Sequence, residues 1–120
     1  MSMFKVNVSA QSPHAEGVAT PPVEVLVDTG SELTWLPSEL LSAAGIKPVR
    51  QKTFQTATKQ MIQRSVGYAI LRVDEFETVD EVVFAQESDM HLLGVRTLEG
   101  FGVTVDNIGH RFVAQAALVV

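Results

Sequence analysis

The sequence predicts a mostly β fold with two short α-helices. Three observations carry this reading. Apolar residues recur with a period of two in several short stretches. Proline, glycine, asparagine and aspartate punctuate the gaps between them. Only two segments have helical composition, and each ends at a glycine.

The elements follow in order. Phe4, Val6 and Val8 alternate with Lys5, Asn7 and Ser9, as in a strand with one buried face. Gln11 to Pro22 carries Pro13, Gly17, Pro21 and Pro22, so it reads as a loop or wide hairpin turn. Val23 to Val27 is an apolar strand. Leu33 to Leu36 is a short strand stopped by Pro37. Ser38 is expected to cap a helix over residues 39–44, ended by Gly45 in a left-handed turn.

Val49 to Thr58 is a polar strand, Lys59-Gln60 a turn, and Met61 to Val73 a long returning strand. The two arms form a long hairpin, with Val66, Tyr68, Ile70 and Arg72 sharing one face. The acidic stretch from Asp74 to Glu81 reads as a solvated connection. Val82 to Ala85 is a strand. Met90 to Leu93 leads into Gly94, and Thr97 to Phe101 is a helix closed by Gly102. Val103 to Val105 and Arg111 to Val113 make a hairpin across Asn107-Ile108-Gly109. The apolar run Ala116 to Val120 is expected to be paired or covered, with a second subunit as one possible cover.

Bulk properties narrow the function. The 120 residues fit one domain spanning 1–120. The net charge is −5 and the nine basic residues are scattered, which argues against nucleic-acid binding. With no cysteine, disulfides and thiolate metal sites are excluded. No apolar run approaches the roughly 18 residues of a membrane span, and the first residues lack a signal peptide's apolar segment. A soluble, cytoplasmic protein without membrane contact is expected. His14, His91 and His110 lack paired-ligand spacing, so no metal is expected. Gly100 and Gly102 form no phosphate loop, and neither Ser31 nor Ser38 lies in a nucleophile elbow.

One stretch points to chemistry. Val23 to Val27 runs into Asp28, Thr29, Gly30 and Ser31. A carboxylate at the end of a buried strand is costly unless hydrogen-bonded or paired. A glycine beside it lets the backbone turn and come close to a partner. Such a carboxylate suits water activation, usually with a second carboxylate next to it. The bland alternative is a strand-end aspartate that caps a turn.

Asp28-Thr29-Gly30-Ser31, with Leu33-Thr34-Trp35-Leu36-Pro37 after it, resembles the active-site loop of aspartic proteases. Leu92-Leu93-Gly94 and Thr97 to Asp106 are similar to the apolar-apolar-glycine element and C-terminal helix of retropepsins, especially the short single-domain bacterial kind. The resemblance runs from about Phe4 to Val113. It implies a closed β-barrel of the retropepsin type with an internal pseudo-twofold. Strand, Asp28-Thr29-Gly30 and a helix ending at Gly45 would echo strand, Leu92-Leu93-Gly94 and a helix ending at Gly102.

The resemblance also implies an aspartic endopeptidase acting on peptide or protein substrates without a cofactor. This chain has no second Asp-Thr-Gly, since Asp74, Asp80, Asp89 and Asp106 sit in other contexts. Asp28 would therefore have to meet its own copy in a homodimer. Two carboxylates about 3 Å apart share one proton, a general property of aspartic proteases. Thr29 would hydrogen-bond across the dimer axis and Gly30 would bring its N–H to the carboxylate. Ser31 stands where alanine is common in retroviral members, and its hydroxyl is placed to donate to Asp28.

The hairpin from about Phe54 to Tyr68 would be the flap, with Thr58, Lys59, Gln60 and Met61 at its tip. This tip lacks the glycines of retroviral flaps. Retroviral members have arginine directly after the glycine; here Val95 intervenes before Arg96. Trp35 either lines a pocket or packs against the core. The rival reading is an inactive peptide-binding or dimerisation module that keeps the fold without turnover.

Overall fold

Alternating apolar residues generate most of the architecture. A computed structural model describes residues 4–14 and 18–119. Expectations for residues 1–3, for 15–17 of the proline-rich loop and for Val120 lie outside that range. The strands are β1 (Lys5–Gln11), β2 (Val23–Val27), β3 (Thr34–Pro37), β4 (Arg50–Gln55), β5 (Met61–Val73), β6 (Phe76–Ala85), β7 (Leu92–Leu93), β8 (Val103–Asp106) and β9 (Arg111–Ala114). The helices are α1 (Ser38–Ala43) and α2 (Val95–Phe101).

The main sheet has the order β1-β2-β7-β3-β6-β5-β4, and β1 also pairs with β5. The pairings therefore run in a closed circuit through six strands, as the expected barrel requires, with β4 left outside as the free arm of a hairpin. Strands β8 and β9 form a separate antiparallel pair. Two pairs in the circuit are parallel, β2 with β7 and β3 with β6. Exchanging β2 with β6 and β3 with β7 maps one parallel pair onto the other. Each helix follows an inner strand of this set, α1 after β3 and α2 after β7, and stops at a left-handed glycine, Gly45 (φ 77°) or Gly102 (φ 73°). The internal echo thus exists, but β2 matches β6, not β7.

The core lies inside the ring. Val8, Val25, Val27, Leu36, Leu41, Leu71, Val82 and Leu93 are fully buried. Phe76, Phe101 and Phe112 close one side, with neighbouring ring centroids about 6 Å apart. A smaller cluster of Leu33, Val66 and Val83 packs against Trp35 and Phe54.

Two expectations are corrected. Ser38 does not cap α1; it is the first helical residue, Pro37 holds the cap position, and no side chain caps the helix. Val66, Tyr68, Ile70 and Arg72 do share one face of β5, and it is the alternate face that builds the main core. Ala69, Leu71 and Val73 point into the core, while Tyr68 is 43% exposed. The described part of the apolar tail is neither paired nor covered within the chain: Leu118 and Val119 are each 95% exposed.

The second correction concerns the acidic stretch. Only Asp74 and Glu75 form the turn, with Asp74 at φ 51°. The rest belongs to β6, paired antiparallel with β5 from Val73↔Phe76 to Val66↔Val83. Asp80 and Glu81 are buried. The Thr97 hydroxyl donates to Asp80 at 3.0 Å and shares a 2.6 Å hydrogen bond with Thr34 Oγ1. The Glu81 N–H donates to Asp80 at 2.7 Å. Arg96 donates to Glu81 at 3.1 Å and lies 3.5 Å from Asp80, while Arg50 closes on the other Glu81 oxygen. The partners come from β3, β4 and α2, so composition alone reads these acids as solvated.

Thr97→Val removes one buried hydroxyl and leaves Asp80 short of a donor. Urea unfolding should show a loss of about 1–3 kcal/mol. Thr104→Val, on the exposed side of β8, should stay within about 0.5 kcal/mol of wild type.

Candidate active site

Asp28 sits at the end of β2, and the main chain holds it there. Its N–H donates to the Leu93 carbonyl at 3.0 Å, continuing the parallel register Leu26↔Leu92 and Val27↔Leu93. The Gly30 N–H donates to Asp28 Oδ1 at 2.9 Å, and the Ser31 N–H to the Asp28 carbonyl at 3.1 Å. The far side of the loop is tied to α2. The Val95 N–H donates to the Ser31 carbonyl at 2.8 Å and the Arg96 N–H to the Glu32 carbonyl at 3.1 Å. The Gly94 N–H donates to Thr34 Oγ1 at 3.0 Å. The two motifs, far apart in sequence, thus form one backbone unit.

Gly94 has no room for a side chain. A Cβ there would press on the Leu33 carbonyl and lie 2.8 Å from the Glu32 carbonyl oxygen. Both obstacles are main chain, which cannot swing aside.

Asp28, Gly30 and Ser31 open into a cleft of about 820 Å³ beneath the β4–β5 hairpin. Trp35 lines it and packs on Phe54 of β4, with ring centroids 4.9 Å apart. Trp35 is therefore both a packing residue and a wall. Thr29 is exposed.

One site expectation changes. The Ser31 hydroxyl donates to the Leu33 carbonyl at 2.8 Å, not to the Asp28 carboxylate. The loop doubles back to bring that carbonyl within reach, leaving the Gly30 N–H as the donor to Asp28. Of the expected tip residues, Thr58, Lys59 and Gln60 lie in the hairpin turn and Met61 opens β5; none of the four lines the cleft of the single chain. Thr56 and Ala57, with Phe54 and Ile62 behind them, do. The turn spans Thr56 to Gln60: the Thr56 N–H donates to the Gln60 carbonyl at 2.8 Å and the Lys59 N–H to the Thr56 carbonyl at 2.9 Å. Lys59 takes the left-handed position (φ 65°), and Met61 is 65% exposed.

The sequence reading missed the charged pairs around the cleft. Arg64 of β5 grips Asp89 through both carboxylate oxygens, at 2.6 and 2.9 Å. Asp89 also accepts the Gln86 N–H at 2.8 Å and lines the cleft. The Arg64 hydrogen bond holds the Asp89 carboxyl below its ordinary range, overcoming partial burial, with help from the Gln86 N–H. The same bond raises Arg64. Lys52 and Glu32 approach to 3.9 Å across the cleft. Arg96, displaced by Val95 from its place in the retroviral pattern, serves Asp80 and Glu81, and the Glu81 bond raises it. No local sequence signal marks these pairs, because each joins separate elements.

The histidines have other settings: His110 stacks on Phe4, with centroids 5.4 Å apart. Among the described residues, no group of three or more His, Asp or Glu is placed to hold a metal ion. Among them, too, no helix is long and apolar enough to cross a membrane.

A model of the family described as "gag-polyprotein putative aspartyl protease" matches residues 17–100, which include Asp28 to Ser31 and Leu92 to Gly94. Among solved structures, the chain is similar to the protease of Simian Foamy Virus (mac). That match has 18% identity and a TM-score of 0.53, covering 80% of this chain and 92% of that one. It is also similar to a foamy viral protease-reverse transcriptase solved with double-stranded DNA, at 16% identity and a TM-score of 0.52. There the match covers 78% of this chain and 15% of the viral one. At these identities the likeness establishes the retropepsin-like fold. No curated protein matches the chain.

Gly94→Ala should cost about 1–3 kcal/mol by urea unfolding, as overpacking against rigid backbone does. Asp89 supports a pH test. Its folded-state pKa is lowered, so its ionised form stabilises the fold above the unfolded value of about 3.9. That contribution is lost as pH falls through the lowered value. Asp89→Asn should therefore destabilise at pH 7, with the gap to wild type shrinking at strongly acid pH in paired urea titrations.

Proposed function

We propose that this chain, which belongs to the gag-polyprotein aspartyl protease family, is an aspartic endopeptidase of retropepsin type that acts as a homodimer. The observation that carries this reading is the placement of Asp28. Its carboxylate opens into a hairpin-covered cleft, on a loop held by main-chain bonds from β7 and α2.

The case for a dimer is chemical. Hydrolysis by carboxylates needs one ionised group to take a proton from water and one protonated group to polarise the scissile carbonyl. Two other acids line the cleft, but Asp89 is bound by Arg64 and Glu32 faces Lys52. A second Asp28 across a twofold axis supplies the free partner, and closed twofold dimers are the commonest oligomers. The exposed Leu118 and Val119 give such a dimer apolar surface to cover.

In this scheme the two Asp28 side chains hold one water and share one proton. Thr29, exposed on the single chain, bonds across the axis, and Gly30 steadies the carboxylate. The substrate is a peptide in extended form. The β4–β5 hairpin covers it and supplies main-chain hydrogen bonds, as in strand addition. Neither a metal nor an organic cofactor is required.

Asp28→Asn should abolish cleavage of a peptide library while leaving the sedimentation profile unchanged. Cleavage that survives the substitution eliminates the mechanism. Peptide binding without turnover by the wild-type protein at acid and neutral pH favours the inactive-module reading instead.

A further inference from the structure

The β4–β5 hairpin covers the cleft in the single chain, and contacts within the chain tie it there. Three contacts tie it to the walls of the cleft. Phe54 lies on Trp35, with centroids 4.9 Å apart. Lys52 approaches Glu32 at 3.9 Å, with side chains 33% and 66% exposed. Arg64 grips Asp89 at 2.6 and 2.9 Å, with side chains only 13% and 11% exposed.

These contacts differ in strength. A long, solvated ion pair such as Lys52–Glu32 contributes about 0–1 kcal/mol. The aromatic contact belongs to the β4 arm and is non-directional in its larger part. Arg64–Asp89 is bidentate, shielded and charge-assisted, the strongest class of side-chain hydrogen bond. It is also the only one of the three on the β5 arm.

Asp89 is well anchored to receive the hairpin. Its carboxylate accepts the Gln86 N–H at 2.8 Å, and its own N–H donates to the Gln86 carbonyl at 2.9 Å. This closed turn leads directly into β7, whose Leu93 carbonyl holds the Asp28 N–H. The pair therefore connects the covering hairpin to the strand that positions the candidate catalytic acid.

We infer that the Arg64–Asp89 pair is a latch that keeps the hairpin closed over the cleft, making Arg64 and Asp89 positioning residues that govern substrate entry and retention. The kinetic part of this inference rests on the protease reading; the conformational part does not. Closed and lifted hairpins form a two-state equilibrium, and loss of the latch shifts it toward the lifted state.

Trp35 reports this equilibrium. It is the only tryptophan and lies beneath Phe54 of the hairpin. In the full-length protein, Arg64→Gln should raise the acrylamide quenching constant of Trp35 about twofold and shift its emission to the red, with far-ultraviolet circular dichroism unchanged. The charge swap Arg64→Asp with Asp89→Arg should return quenching toward wild type. For peptide cleavage, Arg64→Gln should raise KM about fivefold and hold kcat within about twofold.

Unchanged quenching in Arg64→Gln overturns the latch. So does equal quenching in the single variant and the swap. Should Arg64→Gln fail to fold, Arg64→Lys keeps the charge but loses the bidentate grip; it should show an intermediate rise, and unchanged quenching there also overturns the proposal. If the wild type cleaves nothing, the protease reading fails while the quenching arm still decides the latch.

Discussion

The pairing of two distant segments through their backbones underlies the rest of this structure. Strand β2 ends beside β7, and the loop after β2 is bonded to the first turn of α2. Backbone groups buried in a ring must find partners. Here the partners of the acidic loop come from the apolar-apolar-glycine segment. Gly94 makes the fit possible, because two carbonyls occupy the space a side chain would need. Side chains then decorate a loop whose path is already set.

Much of the architecture was legible in the sequence because its signals are local. Strand β2 and strand β5 have the ends that alternation and turn residues suggest, and Gly45 and Gly102 end both helices. The pairing of Asp28-Thr29-Gly30 with Leu92-Leu93-Gly94 was legible through resemblance, not periodicity. The acidic residues were misread for a physical reason. Asp80 and Glu81 are buried because Thr97, Arg96 and Arg50 converge on them from elements remote in sequence. Ser31 failed similarly: its acceptor, the Leu33 carbonyl, depends on how the loop folds back. The hairpin turn is wider than expected, five residues with left-handed Lys59 in place of two, and it keeps Thr58, Lys59 and Gln60 at the tip.

Charge has two distinct uses here. Around β6 it is structural: buried acids hold α2 and the root of β4 against the ring, at a desolvation cost that several donors offset. Around the cleft it is selective: Asp89 and Glu32 face basic partners, while among the described residues Asp28 receives only a backbone N–H. That asymmetry separates one carboxylate from its neighbours better than position alone.

The hairpin has one more consequence. Residues 46–66 contain no glycine, whereas Gly45 and Gly67 flank the root. Gly67 is locked in β5 opposite Val82, with the Lys47 carbonyl in the space a Cβ would take, and the left-handed Lys59 at the tip has less torsional freedom than a glycine there would have. With no glycine between root and tip, such an element resists curling from its end inward. In the proposed enzyme, a substrate beneath a hairpin of this stiffness would need the hairpin's whole length lifted, which disfavours bulky cargo relative to slender cargo.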